Sequence, residues 1–199
     1  RREEELRKLN RTLKALSDSN QAMMRAADET VYLKEVCRVV VEDCGYAMVW
    51  VGYAENDVAK TVRPVCYAGF EEGYLDSLHL TWADTERGRG PTGTAIRTGR
   101  PGLCRNMLTD PLFAPWRAEA LKRGYASSVV LPLKDAGETL GALNIYSREP
   151  DPFSDDEMKL LKELAGDLAY GITALRLRAE HVAAAEALLA GVQTYTVQP

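Results

Sequence analysis

From Phe153 onward the chain reads as a single helix too long for a domain this small. Ser154 and Glu157 form a capping box, and Phe153 with Met158 form the hydrophobic staple around it. The clustered acids Asp155, Asp156 and Glu157 fall in the first turn, where the helix macrodipole favours negative charge. That placement explains them without a catalytic carboxylate pair. Apolar residues then recur through Leu161, Leu164, Leu168 and Leu175 to Leu189. A helix of that length must project beyond the core that 199 residues can build.

The N-terminal end has a matching pattern. Leu6, Leu9, Leu13, Leu16, Asn20, Met23 and Ala27 recur at three- and four-residue spacing, a heptad seam with Asn20 in a core position. A seam asparagine gives up stability but fixes register and favours two-stranded pairing. The seam can join a second chain or pack on its own domain. So few apolar residues lie off it that intermolecular pairing is the preferred reading, and a parallel homodimer through the terminal helices is expected.

Between these ends the pattern alternates. A second helix carries Leu33, Val36, Cys37, Val40, Val41 and Cys44 on one stripe and stops at Gly45. Two strand-like runs follow, "YAMVWVGY" and "KTVRPVCYAG", joined at Glu55-Asn56-Asp57. Pro64 cannot donate to a ladder, so the second run belongs at an edge or a bulge. Residues 71–126 read as loops and short helices around a brief strand, "PGLCRN", with one helix from Pro115 to Arg123. "SSVVLPLK" and "TLGALNIYS" make a hairpin across Asp135-Ala136-Gly137. The fold class is therefore α+β. An antiparallel sheet of five or six strands carries the terminal helices on one face and an irregular helical and loop layer on the other. The expected divisions are an N-terminal coiled-coil helix at 1–27, the α+β domain at 28–176, and a linker helix and tail at 177–199.

A net charge of −4 argues against nucleic acid and anionic membrane as partners. No run approaches 18 apolar residues, so no membrane partner is expected. The chain begins at Arg1 without a signal-peptide pattern and reads as an excised piece of a longer cytoplasmic protein. Cys37, Cys44, Cys66 and Cys104 include no C-x-x-C pair and have only two histidines to help them, so no metal is expected.

"GRGPTG", Gly88 to Gly93, fits the dinucleotide pattern G-x-G-x-x-G. Context removes that reading. The preceding Trp82-Ala83-Asp84-Thr85-Glu86-Arg87 does not alternate as a strand would, and Thr94-Ala95 replaces the lysine and hydroxyl of a Walker loop. Pro91 also removes a backbone donor. The plainer expectation is a tight loop opening a short helix, Thr92 to Thr98, closed by Gly99.

Several of these pieces, in this order, resemble the GAF domain family over residues 28–176. They are "GRGPTGTAIRTGRP", "TDPLFAPWRAEALKRGYASSVVLPL" and "GALNIYSREPDPFSDDEMKLLKELA". The resemblance implies a module of bacterial histidine kinases, diguanylate cyclases or similar regulators, joined through paired helices to an effector domain in the same chain. It also implies that the glycine loop borders a pocket and shapes a turn. Relatives that reduce free methionine sulfoxide carry a cysteine in that loop and another before the last hairpin. Here Thr92 stands in the loop and no cysteine follows Cys104, so the chain is expected not to be an enzyme. The bilin branch needs a cysteine beside a histidine, which neither His79 nor His181 provides, and His79 is the sole candidate haem ligand. Neither cofactor is expected.

The candidate pocket wall is Trp50, Tyr67, Trp82, Thr92, Phe113, Trp116 and Ser128. Aromatic rings with a few polar tips suit a small organic ligand, and they equally suit a filled core. Arg87, Arg89, Arg97, Arg100 and Arg105 could draw an anion there or simply face solvent. The leading expectation is a sensory module of a two-component or related signalling protein. It would bind a small molecule, dimerise, and relay a change through its terminal helices. The alternatives are a redox enzyme of the sulfoxide-reductase kind and a purely structural dimerisation module.

Overall fold

The computed structural model of the chain describes residues 1–195, so the expected tail, residues 196–199, lies outside the described residues. The first helix, α1 (Arg2–Arg25), ends at Ala26. Asp28 then caps the second by accepting a hydrogen bond from the Val31 N–H at 2.9 Å. That helix, α2 (Glu29–Cys44), buries Leu33, Val36, Cys37 and Val40 and stops at Gly45, which has the left-handed φ of 76°. Strands β1 (Met48–Ala54) and β2 (Val62–Gly69) pair antiparallel. The register slips at Val51/Gly52, leaving Val65 as the extra residue of a bulge beside Pro64.

The irregular segment that follows holds α3 (Tyr74–Leu78), α4 (Pro91–Thr98) and β3 (Gly102–Cys104). A 3₁₀ stretch, Pro111–Trp116, then leads into α5 (Arg117–Lys122). The sequence places one helix from Pro115 to Arg123, whereas the α-helix proper starts two residues later. Pro115 has no N–H to give an α-helical ladder, and Asp110 instead caps the tighter 3₁₀ turn through the Leu112 N–H at 3.0 Å. Strands β4 (Ser127–Asp135) and β5 (Glu138–Ser147) close over the two-residue turn Ala136–Gly137, and both turn residues have positive φ. The last helix, α6 (Asp155–Tyr195), runs 41 residues.

The sheet has the order β2-β1-β5-β4-β3, antiparallel throughout. Both faces are covered, which is why β1 reads as a near-continuous buried run and not as an alternation. Val49, Val51, Leu131, Leu143 and Ile145 meet α1, α2 and α6. Met48, Trp50, Val130, Ala142 and Tyr146 meet the irregular layer. Pro64 lies on an edge strand, as the sequence requires. Among the described residues no helix is long and apolar enough to cross a membrane.

The N-terminal helix departs from its seam. Its buried residues are Thr12, Ala15 and Ser19, while Leu6 and Leu13 stay 55% and 48% exposed and Asn20 is exposed. Small side chains let α1 lie close against α2 and α6, so the packed face is one that a hydrophobicity count overlooks. Leu16 and Met23 join the core at its margin.

Glu157 also does more than cap. Ser154 Oγ accepts the Glu157 N–H at 3.2 Å, the serine half of the capping box. The carboxylate turns inward and is 4% exposed; it accepts hydrogen bonds from the Tyr46 hydroxyl and, at 3.4 Å, from Thr12 Oγ1. A buried carboxylate needs compensation, and here the Tyr46 hydroxyl and the positive end of α6 supply it, while Thr12 shares its one proton with the Lys8 carbonyl at 3.1 Å. Asp155 and Asp156 remain exposed. The first turn of α6 is thereby bonded to α1 and to the start of the sheet.

Candidate functional site

The glycine loop owes its composition to packing. A side chain on Gly88 would put a methyl 1.7 Å from the Ala83 carbonyl oxygen, and one on Gly93 would sit 2.2 Å from the Gly88 carbonyl oxygen. On Gly90 the methyl would lie 2.2 Å from the Trp116 ring. The loop folds back on itself and under an aromatic, so its glycines serve close approach. Arg97 fastens it from inside: Nη1 donates to the carbonyls of Trp82, Ala83 and Gly88 at 3.0, 2.9 and 2.5 Å.

The other arginines of this stretch are similarly engaged. Arg87 donates to the Leu78 carbonyl at 2.8 Å, Arg89 pairs with Asp84 at 2.9 Å, and Arg105 pairs with Asp151. Arg100 is exposed. The first three hold loops together, and the bonds they make do not converge on an anion site.

Beneath the loop, between the sheet and the irregular layer, is a small, partly open cavity. Thr92, Phe113, Trp116 and Ser128 line it, four of the residues expected from the sequence. Tyr74, Leu78, Leu80, Pro91, Val130 and Tyr146 complete the wall. Trp116 is 4% exposed and is held by its indole N–H donating to the Leu78 carbonyl at 3.1 Å. Thr92 donates to the Asn144 side-chain oxygen at 2.8 Å, and Asn144 Nδ2 donates to the Trp50 carbonyl at 3.4 Å. Trp50 itself is fully buried and donates from its indole to the Tyr146 hydroxyl at 3.2 Å. It braces the wall from β1 and does not line it.

Two expected residues lie elsewhere. Tyr67 is 53% exposed, on the open face of the edge strand, in a separate groove with Lys34 and His79. Trp82 is pinned away from the cavity by its indole bond to the Glu55 carbonyl at 2.8 Å and by the Lys60 ammonium 4.4 Å over its ring. His79, the candidate haem ligand, is exposed in a left-handed turn with φ of 44°.

The tyrosines are the residues that sequence reasoning missed. Tyr74, Tyr125 and Tyr146 stack edge-on and tilted, with centroids 5.1 to 5.5 Å apart. Burial pushes the Tyr146 phenol up to about 12 and the Tyr74 phenol well above its ordinary value, so both are neutral donors at physiological pH. The Tyr74 hydroxyl is buried without a hydrogen-bond partner. The free space left among these side chains is about 10 Å³, roughly the minimum that admits one water.

The family model described as the GAF domain matches residues 26–173. Among solved structures the chain is similar to the GAF domain from a phosphoenolpyruvate-protein phosphotransferase of Coxiella burnetii. The TM-score is 0.70 at 21% identity, covering 86% of this chain and 98% of that one. It is also similar to the free methionine-R-sulfoxide reductase of Neisseria meningitidis, solved with its substrate. There the TM-score is 0.66 at 19% identity, over 84% of this chain and 91% of that one. A third likeness is to the type II free methionine-R-sulfoxide reductase of Thermoplasma acidophilum, with a TM-score of 0.56 at 16% identity, over 74% and 94% of the two chains. At these identities the likeness establishes the fold. No curated protein matches the chain.

These neighbours correct the expectation that the chain is not an enzyme. Two of them are reductases, so the fold it adopts is one on which catalysis is carried out. A missing loop cysteine bears on one arrangement of thiols alone, and a fold of this kind does not by itself separate a catalyst from a regulator.

Proposed function

The chain belongs to the GAF domain family, and from that premise we propose that it is a sensory or regulatory module of a larger signalling protein. In this reading the cavity layer receives the signal, and α1 and α6 carry it as a parallel homodimer to an effector domain such as a kinase or cyclase. The observation that supports the reading best is the continuity of α6. Its first half buries Leu161, Leu164, Leu168, Ile172 and Leu175 against the sheet. The same helix then leaves the domain with Leu177, Leu188 and Leu189 exposed at 51%, 73% and 66%. A rod seated on the sheet at one end and apolar at the other is suited to couple a change in the core to a partner helix. Leu6 and Leu13 on α1 are exposed as well, beside the start of α6 and away from its projecting end.

The ligand would be a small organic molecule that accepts a hydrogen bond. The Tyr74 hydroxyl supports this, because an unpaired buried hydroxyl costs about 1–3 kcal/mol that an acceptor atom would recover. A second reading has its own observation: with so little free volume, the cavity side chains already fill the space, as in a structural dimerisation module. Sedimentation equilibrium of the chain beside a Leu177→Glu/Leu188→Glu variant tests the shared step. The parent should sediment as a dimer and the variant as a monomer. A monomeric parent, or an equally dimeric variant, would remove the helices from the proposal.

A further inference from the structure

A cleft with about 190 Å³ of free space lies between the first half of α1, the start of β1 and the turn that leads from β5 into α6. Its charged lining is balanced, with Glu4, Glu149 and Glu157 against Lys8, Arg11 and Arg148. Some of these charges are already engaged. Lys8 pairs with Glu149 at 3.3 Å, and the Arg148 guanidinium lies 5.2 Å from the centre of the Phe70 ring.

Glu157 and Arg11 are left over. The Glu157 side chain is 4% exposed, and both of its hydrogen bonds, from Tyr46 and Thr12, end on Oε1. Oε2 receives neither. Arg11 is exposed on α1, with Nη1 lying 3.8 Å from where a side chain on Gly45 would begin. Among the described residues it has no carboxylate within ion-pair reach. A carboxylate oxygen without a donor and a guanidinium without an acceptor thus line the same cleft and do not reach each other.

We propose that this cleft binds a small zwitterion of the α-amino-acid class. The ligand's ammonium donates to Glu157 Oε2, and its carboxylate accepts from the Arg11 guanidinium. A plain cation would leave Arg11 unanswered, and a plain anion would meet the buried Glu157 carboxylate. The free space is worth about six water molecules, which suits an amino acid with a small side chain and falls short of the usual volume of a drug-sized site. Glu157 stands in the first turn of α6 and Arg11 on α1, so the ligand would tie the two terminal helices together. The site is separate from the aromatic cavity, and its test depends neither on that cavity nor on dimerisation.

Isothermal titration calorimetry with glycine tests the proposal, beside methylammonium chloride and sodium acetate at equal ionic strength. Glycine should bind one per chain, and each half-molecule roughly tenfold or more weakly. Arg11→Met breaks no hydrogen bond among the described residues and should still lower the glycine affinity by about tenfold or more. Glu157→Gln should weaken glycine similarly. Circular dichroism shows whether that buried variant folds; where it does not, the Arg11 variant and the two half-molecules decide. No heat from glycine, acetate or methylammonium binding as tightly as glycine, or an Arg11→Met chain that binds glycine like the parent would each overturn the proposal.

Discussion

Gly90 offers the sharpest test of how the cavity is closed. Its φ of −66° and ψ of 175° are available to any residue, so Gly90→Ala adds no backbone strain. The new methyl would lie 2.2 and 2.3 Å from Cη2 and Cζ3 of Trp116. Carbon atoms rest about 3.5–4.0 Å apart, so the ring would have to retreat by roughly 1.3 Å or more. It has little room, with Phe113 at a centroid distance of 5.9 Å and the indole bonded to Leu78. Overpacking of this kind costs about 1–3 kcal/mol. Should the retreat break the indole bond, the orphaned N–H adds to that cost. The Leu78 carbonyl keeps a second donor in Arg87 at 2.8 Å. At about 2–4 °C per kcal/mol for a domain this size, a 2 kcal/mol loss lowers the melting temperature by about 4–8 °C.

The companion change is Trp116→Leu, which by itself costs about 3 kcal/mol, the low end for truncating a buried tryptophan. It also removes the atoms that the new methyl would strike. In the double variant the methyl should enter the vacated space, so that Gly90→Ala costs close to nothing there. Urea denaturation followed by circular dichroism measures the cycle. The expected coupling is about 1–3 kcal/mol in favour of the double variant. Losses that add to within about 0.5 kcal/mol would mean that Trp116 does not close over Gly90 in solution.

Two other changes probe the framework around the cavity. Tyr46→Phe deprives the buried Glu157 carboxylate of a hydroxyl donor and should destabilise the chain by about 1.5–3 kcal/mol, with faster amide exchange in α1. Unchanged exchange would show that the Glu157 cluster does not hold that helix. Arg97→Met keeps much of the side-chain bulk but leaves three carbonyls without their shared guanidinium donor. It should cost about 2 kcal/mol or more on chemical denaturation, and a silent substitution would show that the glycine loop holds its shape unaided.

What the sequence disclosed was mostly what is decided locally. The Gly45 stop, the Ser154 cap and the Ala136–Gly137 turn each depend on a few adjacent residues, and each can be read in the chain; the Asp28 cap is as local, yet it was not read there. Pro64 announced its edge position by what it lacks. The face of α1 could not be read this way, because Thr12, Ala15 and Ser19 pack through smallness and a hydrophobic seam search passes over them. The cavity was half legible. On β5, Leu143 and Ile145 alternate with Asn144 and Tyr146, a phase that would have sent Tyr146 to the irregular layer had it been followed. Tyr74 comes from a five-residue helix in a long irregular stretch, and only the assembled fold places it. Tyr67 was misplaced for the opposite reason: nothing in its own strand says that its outer side is left uncovered.

A nearly filled cavity changes what binding would look like if the module is a sensor. A space of about 10 Å³ cannot hold an organic molecule, so a competent state needs the wall to open, and we take Trp116, which closes over Gly90, as the part that moves. The apparent affinity is then the intrinsic affinity reduced by the fraction of time that the ring is out. Whatever the ligand gains by bonding the Tyr74 hydroxyl is offset by breaking the indole bond to Leu78 and parting the ring from Phe113. Only the difference can bias the helices, because a ligand shifts an equilibrium solely by its differential affinity for the two states. The strand that would pass the bias on is β5, which puts Asn144 and Tyr146 on the cavity side and Leu143 and Ile145 under the helices. It follows that a substitution forcing Trp116 outward works in two directions at once. Gly90→Ala weakens the empty protein, yet it fills the open state in advance and so should tighten binding. In a module whose cavity is merely packed, the same substitution brings the loss alone.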